Sequence, residues 1–458
     1  MPDKTTVAVI LAAGKGTRMH SDKPKVLQTL LGETMLHYTA SAAAQAAGSV
    51  LTVVGHGREM VEKAHPELAP GFVVQTEQKG TGHALQVAWE RVRASGASHC
   101  LVVNGDTPLV TAEALLELTE ACRQGADLAF LSAVLESAGA FGRVVRGEGG
   151  EVTGIVEAKD YDPDRHGPDT GEVNTGLFCM RVMAMEPLLF ELTSANKAGE
   201  FYITDLVGLA VEAGLRVHAA RREGARELMG VNSPLELSQA EEHLRSGIVL
   251  RHLADGVLIH QPQGVVIGPR ASVAPGAEIF GPCRIVGASV VERGARIGAF
   301  SQVLDSRVAA GAEVREHCHL ERADVGPGAI AGPYARLRPG AVLQDGSRVG
   351  NFVEMKKATL GPGAKASHLT YLGDARVGAG ANIGAGTITC NYDGVNKHAT
   401  DIGEGAFIGS NTALVAPVKV GRKALVGAGS VITKDVPDEA LAIARGKQTN
   451  LVRRGAKS

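Results

Sequence analysis

Ile267-Gly-Pro-Arg-Ala-Ser-Val273-Ala-Pro-Gly-Ala-Glu-Ile279 places an aliphatic side chain at every sixth position, and the chain keeps that beat from Val265 to about Val436. It runs on through Ile285, Val291, Ile297 and Val303, then slips by one residue to Val308, Val314 and Leu320. It resumes at Val325, Ala331, Leu337, Leu343 and Val349, and returns late at Ile402, Ile408, Leu414, Val420, Val426 and Ile432. A six-residue period is that of a parallel β-helix. Three short strands make one coil, each aliphatic side chain points inward, and stacked coils bury a continuous apolar ladder. The corners between strands account for the glycine, which takes positive φ without steric cost.

The composition fits such an array joined to something else. Of 458 residues 58 are Gly, nearly twice the usual share of about 7%, and aromatics are only 4%. The length allows two to four domains, each able to bury a core. A formal net charge of −2 gives no global field toward nucleic acid or an anionic membrane, so neither is expected as a partner. Six scattered cysteines without CxxC spacing point to reduced thiols in a cytoplasmic protein and away from a disulfide scaffold or zinc site. The first apolar run, Val7 to Ala13, is too short for a signal peptide, and no run nears the roughly 20 apolar residues of a membrane span.

Before the repeat, strands and helices alternate. Val7–Leu11, Val50–Val54 and Cys100–Val103 read as strands; Thr34–Ala47, Gly82–Ala94 and Ala112–Arg123 read as helices. That order predicts an α/β domain with a doubly wound, Rossmann-like parallel sheet. Arg143–Arg146 and Val152–Val156 flank Gly147-Glu-Gly-Gly150 as a hairpin, followed by a strand at Asn174–Met180 and a helix at Ile203–Glu212. At the joint, Ser233-Pro234-Leu-Glu236 forms a capping box with Pro at the first helical position. Leu237, Ala240, Leu244 and Ile248 follow at helical spacing, and Asp255-Gly256 supplies a stop. The expected organisation is a domain over 1–232, a helical arm over 233–255 and the β-helix over 256–458.

The first domain opens with Leu11-Ala12-Ala13-Gly14-Lys15-Gly16-Thr17-Arg18-Met19 and then Pro24-Lys25. A glycine-rich turn after a buried strand offers backbone N–H groups to phosphate oxygens, and Arg18 and Lys25 add positive charge. The order is neither a Walker loop nor GxGxxG. Taken alone, such a turn is as often only a tight turn. The full string resembles the motif of sugar-phosphate nucleotidyltransferases, and further pieces follow in order. Gln75-Thr-Glu-Gln-Lys79-Gly80-Thr81 is similar to that family's base-reading segment, with Lys79 as an interruption. Asn104-Gly105-Asp106 ends a strand, where open α/β sheets place ligands; Asn104 stands where some relatives have Tyr. The resemblance implies Mg²⁺ held by Asp106 and Asn232, sugar contacts from Gly142, Glu157 and Asn174, and catalytic roles for Arg18 and Lys25. The plain alternative for Asp106 is a turn-capping carboxylate before Pro108, and the ligand reading is favoured over it; Glu157 on its own reads as a solvated strand end.

In the repeat, Asn351-Phe-Val-Glu354-Met-Lys356-Lys357 reads as too charged for an ordinary coil, and Thr387 to Lys397 as an excursion. Insertions in solenoids project as loops that often form the working surface. Between them stands Ala366-Ser-His368-Leu-Thr-Tyr371-Leu-Gly; a lone histidine at a solenoid corner is ordinarily just an exposed polar residue. His317 and His319, flanking Cys318, suit strand alternation and receive no role.

The array resembles the left-handed β-helix of hexapeptide acyltransferases. With the first-half motifs on the same chain, it is similar over nearly its full length to the bifunctional bacterial uridyltransferase/acetyltransferase family. This implies acetylation of glucosamine-1-phosphate by acetyl-CoA, then uridylyl transfer from UTP to N-acetylglucosamine-1-phosphate, supplying peptidoglycan and other envelope polysaccharide. By the same resemblance Arg338, Lys356, Tyr371, Asn382, Asn391 and Tyr392 hold the amino-sugar phosphate. It also implies that Ala385, Ser410, Ala428 and Arg445 line an acetyl-CoA groove and that the assembly is a homotrimer. His368, between the two departures from the hexad rhythm and among cationic residues, is the candidate catalytic base, with Glu354 as the residue expected to orient it. Two other readings stand beside it: a nucleotidyltransferase whose β-helix is only structural or regulatory, and a binding module without turnover.

Overall fold

The computed structural model describes residues 3–19, 21–225 and 228–451. They form two compact units, one through Leu244 and one from Arg245.

The first unit is built on a sheet whose strands are β1 (Asp3–Ala12), β2 (Ala47–Val54), β3 (Phe72–Val74), β4 (His99–Asn104), β5 (Leu128–Val134), β6 (Arg143–Arg146), β7 (Val152–Val156), β8 (Glu172–Arg181) and β9 (Val217–Glu223). The main order is β9-β5-β8-β4-β1-β2-β3. β1 runs parallel to β2 and β4, whereas β8 is antiparallel to β4 and β5. The β6–β7 hairpin turns where the Gly-rich tetrapeptide demanded, and hangs off β8. Val7 to Ile10 are fully buried because helices cover both faces, which is why β1 reads as a continuous apolar run.

The main helices are α1 (Met35–Ala46), α2 (Thr81–Ala94), α3 (Ala112–Arg123), α4 (Val182–Glu191), α5 (Asp205–Glu212) and α6 (Pro234–Ala254), with short ones at Arg58–Ala64 and Pro163–His166. Thr34 and Thr111 cap α1 and α3, accepting from His37 N at 3.1 Å and Ala114 N at 3.3 Å. Trp89, the chain's single tryptophan, lies buried on α2.

α6 starts on the expected capping box: Ser233 Oγ accepts from Glu236 N at 3.2 Å and Glu236 Oε2 accepts from Ser233 N at 3.1 Å. Leu237, Ala240 and Leu244 pack with Leu30, Met35 and Val231 of the first unit. The division between units falls inside this helix, at Leu244/Arg245. Within the second unit, Arg245 Nη1 donates to Pro262 O at 2.7 Å and Val265 O at 3.3 Å. Each half of α6 is therefore fastened into its own unit.

The second unit is a parallel β-helix of three sheets, each strand pairing with the strand one coil on. Ile267, Ile285, Val303, Leu320, Leu337, Met355 and Leu372 stand above one another in register, all fully buried. Successive rungs are 17 or 18 residues apart, as from Val303 to Leu320 and from Ile267 to Ile285, so the slip shortens a coil without breaking the pairing.

The structure corrects three expectations here. The charged stretch after Val349 is a regular coil: Met355 fills the inward place at 0% exposure while Glu354 and Lys356 point outward. Only the second departure is a true excursion, leaving after Cys390 and returning at Thr400. His317 is a corner residue, not a strand residue. Phe300, His317, Tyr334 and Phe352 hold one corner of successive coils with φ between 56° and 60°, where glycine was expected. Their rings stack at 4.8, 4.6 and 5.4 Å between centroids. Left-handed backbone in bulky residues costs about 1–2 kcal/mol each, and ring pairs return about 0.5–1.5 kcal/mol.

Candidate active sites

The first site is a cleft of about 800 Å³ at the carboxyl ends of β1 and β4. Of the expected residues, Leu11, Ala12, Ala13, Gly14, Arg18 and Lys25 line one side. Gln75, Gly80, Thr81, Asn104, Asp106 and Asn232 also face the cleft. Gly105 sits behind the wall, its N–H donating to Leu11 O at 2.9 Å and tying β4 to β1.

Three groups converge at the cleft's floor. Lys25 Nζ donates to Asp106 Oδ2 at 2.5 Å and to Asn232 Oδ1 at 2.7 Å. Asn232 is locked by Nδ2 donating to Gly230 O at 2.8 Å, and Val231 N donates to Asp106 O at 2.8 Å. Two hard oxygen donors thus meet on one cation, the lysine ammonium. A carboxylate and a carboxamide oxygen, with room for water and phosphate oxygens, suit Mg²⁺.

The segment after β3 is held by its own side chains. Gln75 is buried, and its Nε2 reaches Gly80 O at 3.2 Å and His83 Nδ1 at 3.0 Å. Gln78 Nε2 donates to Gln75 O at 3.0 Å. Gly80 is required by geometry: φ is 108°, and a Cβ would lie 2.5 Å from Phe201 O. Lys79 does not interrupt this arrangement, since its side chain turns out to pair with Glu77 and its carbonyl accepts from Phe201 N at 2.8 Å.

Gly142, Glu157 and Asn174 form a neighbouring group. Asn174 N donates to Gly142 O at 2.9 Å, and a Cβ on Gly142 would stand 3.4 Å from Glu157 Oε1. Thr204 Oγ donates to Glu157 Oε1 at 2.9 Å. Burial raises the Glu157 pKa, the Thr204 hydrogen bond opposes this, and Asp160 and Glu200 add to the rise. Asn104 packs against Gly176, where any larger residue than glycine would overlap its amide. Thr204 had escaped the sequence reading; it carries no motif, and only the fold brings it to Glu157.

The second site lies on the outside of the β-helix. Leu369, after His368, occupies the next turn of the aromatic corner, with φ of 49°. From there a column is stitched by backbone bonds: Gly386 N to Leu369 O at 3.0 Å, Asn411 N to Ala385 O at 2.7 Å, and Gly429 N to Ser410 O at 2.8 Å. His368, Ala385, Ser410 and Ala428 hold equivalent places in that column, and Arg445 Nη1 donates to Ala428 O at 2.7 Å. Asn382 lies on the same sheet, paired with Lys365 of the His368 strand.

Arg338 and Lys356 lie on successive coils, with Arg338 N donating to Met355 O at 2.8 Å; Lys356 pairs in register with Gly373, and the next residue, Asp374, donates its N–H to Lys356 O at 3.0 Å. Lys397 comes back from the excursion to Lys356, and this ammonium, with Arg338 nearby, pushes the Lys356 pKa down. Such a crowd of positive charge is suited to an anion. Tyr371 lies over Gly373, whose Cβ position is 2.4 Å from the phenol oxygen, and Asn391 Nδ2 donates to Asp374 Oδ2 at 2.5 Å. Tyr392 is exposed on the excursion, which Asp393 braces by accepting from Val395 N at 2.8 Å and Asn396 N at 2.6 Å.

Glu354 does not orient His368. It accepts from Arg338 Nη1 at 2.7 Å, while His368 Nδ1 pairs with Asn351 Oδ1 at 2.7 Å. Asn351 and His368 are register partners one coil apart, and that 17-residue spacing is the signal that could have found the pair.

Comparison with known proteins agrees with both halves. Residues 8–191 match the MobA-like NTP transferase domain, and residues 400–434 match the hexapeptide repeat of succinyl-transferase. The bifunctional protein GlmU of Nitratidesulfovibrio vulgaris (strain DP4) is 59% identical over 98% of this chain and 99% of its own. That of Oleidesulfovibrio alaskensis is 57% identical over 98% and 97%, and that of Stutzerimonas stutzeri is 44% identical over 97% of each. A nucleotidyltransferase unit followed by a left-handed hexapeptide β-helix, alike from end to end, places this chain in the bifunctional GlmU family of transferases.

Proposed function

We propose that the first unit transfers uridylyl from UTP to N-acetylglucosamine-1-phosphate, and that the second makes this acceptor by acetylating glucosamine-1-phosphate with acetyl-CoA. In the first reaction a phosphate oxygen of the sugar phosphate attacks the α-phosphorus of UTP in line and pyrophosphate leaves. Arg18, Lys25 and the loop amides gather the phosphates, the Gln75–Thr81 segment takes the base, and Gly142, Glu157 and Asn174 take the sugar. Mg²⁺, held by Asp106 and Asn232, would neutralise triphosphate charge. Catalysis there is positioning and charge neutralisation.

In the second reaction the amine attacks the thioester carbonyl, a proton leaves the nitrogen, and coenzyme A departs as its thiol. Asn351 Oδ1 accepts at His368 Nδ1, so that nitrogen carries the hydrogen and Nε2 keeps its lone pair for the substrate proton. Arg338, Lys356 and Lys397, with Tyr371, Asn382, Asn391 and Tyr392, would hold the amino-sugar phosphate. Ala385, Ser410, Ala428 and Arg445 would guide acetyl-CoA along the column.

The observation that favours this over a merely structural β-helix is His368, its tautomer set by Asn351, at the head of that column. Binding of acetyl-CoA measured by isothermal titration tests it: saturable binding to the wild type is expected, and none would leave the β-helix without a catalytic role. The hexapeptide architecture supports a homotrimer, checked by light scattering after gel filtration. No helix among the described residues is long and apolar enough to cross a membrane, and all six cysteines are free thiols. A cytoplasmic location fits that thiol chemistry.

A further inference from the structure

We propose that Lys25 is a placeholder for the divalent cation. Its ammonium holds the position between Asp106 and Asn232 until a nucleotide's phosphates draw it away, so cation and nucleotide load together. The inference rests on the reading of Asp106 and Asn232 as the cation's ligands.

The oxygens that would bind the metal are the ones Lys25 occupies, Asp106 Oδ2 at 2.5 Å and Asn232 Oδ1 at 2.7 Å. A metal entering this place competes with a positive charge tethered to the chain. The competition is strong because the pair is poorly solvated, with 11% of the Lys25 side chain and 25% of the Asp106 side chain exposed.

The two sides of the contact differ in freedom. The oxygens are fixed: Asn232 is anchored through Gly230 O and through its own N–H to Glu236 Oε2 at 2.6 Å, and Asp106 through its backbone to Val231. Lys25 reaches them on a flexible four-carbon stem. That stem runs against the phosphate loop, since Gly16 has φ of 61° and a Cβ there would lie 2.5 Å from Lys25 Cβ. Lys15 and Arg18, exposed on the same loop, face the same cleft.

An arriving triphosphate therefore meets Lys15 and Arg18, and offers Lys25 a second anion within reach of its stem. When Lys25 swings to the phosphate, both protein oxygens open together and Asp106 exchanges a monovalent partner for a divalent one. The coupling is reciprocal, so the cation in place also frees Lys25 for the nucleotide. The exchange moves charges and breaks no covalent bond.

A plain neighbouring charge and a placeholder differ in size. Removing a neighbouring charge that does not block the ligands tightens a cation by less than about fivefold, through relief of screened repulsion. Removing a placeholder tightens the cation, even though nucleotide binding suffers. The test uses Mn²⁺ as probe on the full-length, nucleotide-free protein, with free Mn²⁺ followed by electron paramagnetic resonance. Lys25→Met and Lys25→Gln should each bind Mn²⁺ at least tenfold more tightly than wild type, whereas Lys25→Arg, which keeps the charge, should not. Trp89 fluorescence shows whether each variant is folded, and Mn²⁺ should raise the melting temperature of Lys25→Met more than that of wild type. Binding by the folded Met and Gln variants that is weaker, equal or tightened less than tenfold overturns the placeholder. A separate arm checks the reading beneath it: Asp106→Asn should lose Mn²⁺ in the wild-type and Lys25→Met backgrounds alike. Undiminished binding there would remove Asp106 as a ligand and the inference with it.

Discussion

Asp106, His368 and Asp205 are three titratable residues whose surroundings give them different work. If Asp106 holds the cation as proposed, Asp106→Ala costs several kcal/mol, so uridylyl transfer should fall by about 10³-fold while acetyl transfer persists. Paired assays of pyrophosphate release and thiol release distinguish this from misfolding, which would lower both. His368→Ala should cut acetyl transfer by roughly 10²–10⁴-fold, the range for losing a general base, with little change in substrate binding or uridylyl transfer. Asn351→Ala should lower acetyl-transfer kcat by less, with KM retained, because it acts through the imidazole's tautomer. Asp205 bears on stability instead. Burial, then repulsion from Glu157 and Asp160, pushes its carboxyl up to about 6. A raised acid stabilises fully below its unfolded pKa near 4, and that contribution is lost as pH rises through about 6. Asp205→Asn should thus stabilise the first unit at pH 7.5 and do nothing at pH 4. The shift corresponds to about 3 kcal/mol at most. Partial exposure and the lost charge at the start of α5 reduce the net to about 1 kcal/mol. Trp89 fluorescence, confined to this unit, should show a melting rise of about 2–4 °C.

Elements were legible where periodicity was strong. The hexads marked the inward ladder correctly, and the capping box at Ser233 marked a helix start. Other elements carried too weak a signal, and three of them show why. β5 is a short buried run, Leu128-Ala-Phe-Leu-Ser-Ala-Val134, apolar but for Ser132, which periodicity cannot assign to helix or strand. α4 contains Pro187, and β9 is an edge strand with Arg221, Arg222 and Glu223 exposed. Register, too, lies beyond local pattern, so Glu354 was matched to His368 although the coil period points to Asn351. Two substitutions probe elements. Gly80→Ala meets Phe201 O and an unfavourable φ, so KM for UTP should rise with acetyl transfer intact. Leu337→Ala, in the middle of the ladder, should cost about 2–5 kcal/mol and lower the β-helix transition measured by calorimetry, leaving the Trp89 transition in place.

For the whole molecule, the sequence announced two folds on one chain because each has its own period and its own motif. It placed a linker helix between them; the structure fastens that helix at both ends, which residue patterns alone do not reveal. A chain ending near Leu250 retains the α6 residues that cover Leu30 and Met35. It should fold and transfer uridylyl groups, with acetyl transfer gone; an insoluble product would show that the units depend on each other. The central claim is that both transfers occur on this chain, in series. Glucosamine-1-phosphate, acetyl-CoA, UTP and Mg²⁺ incubated with the full-length protein, and read by mass spectrometry, should yield UDP-N-acetylglucosamine, and none when acetyl-CoA is omitted. Formation of UDP-glucosamine, or glucosamine-1-phosphate left unacetylated while the acetyl-CoA remains intact, would contradict it.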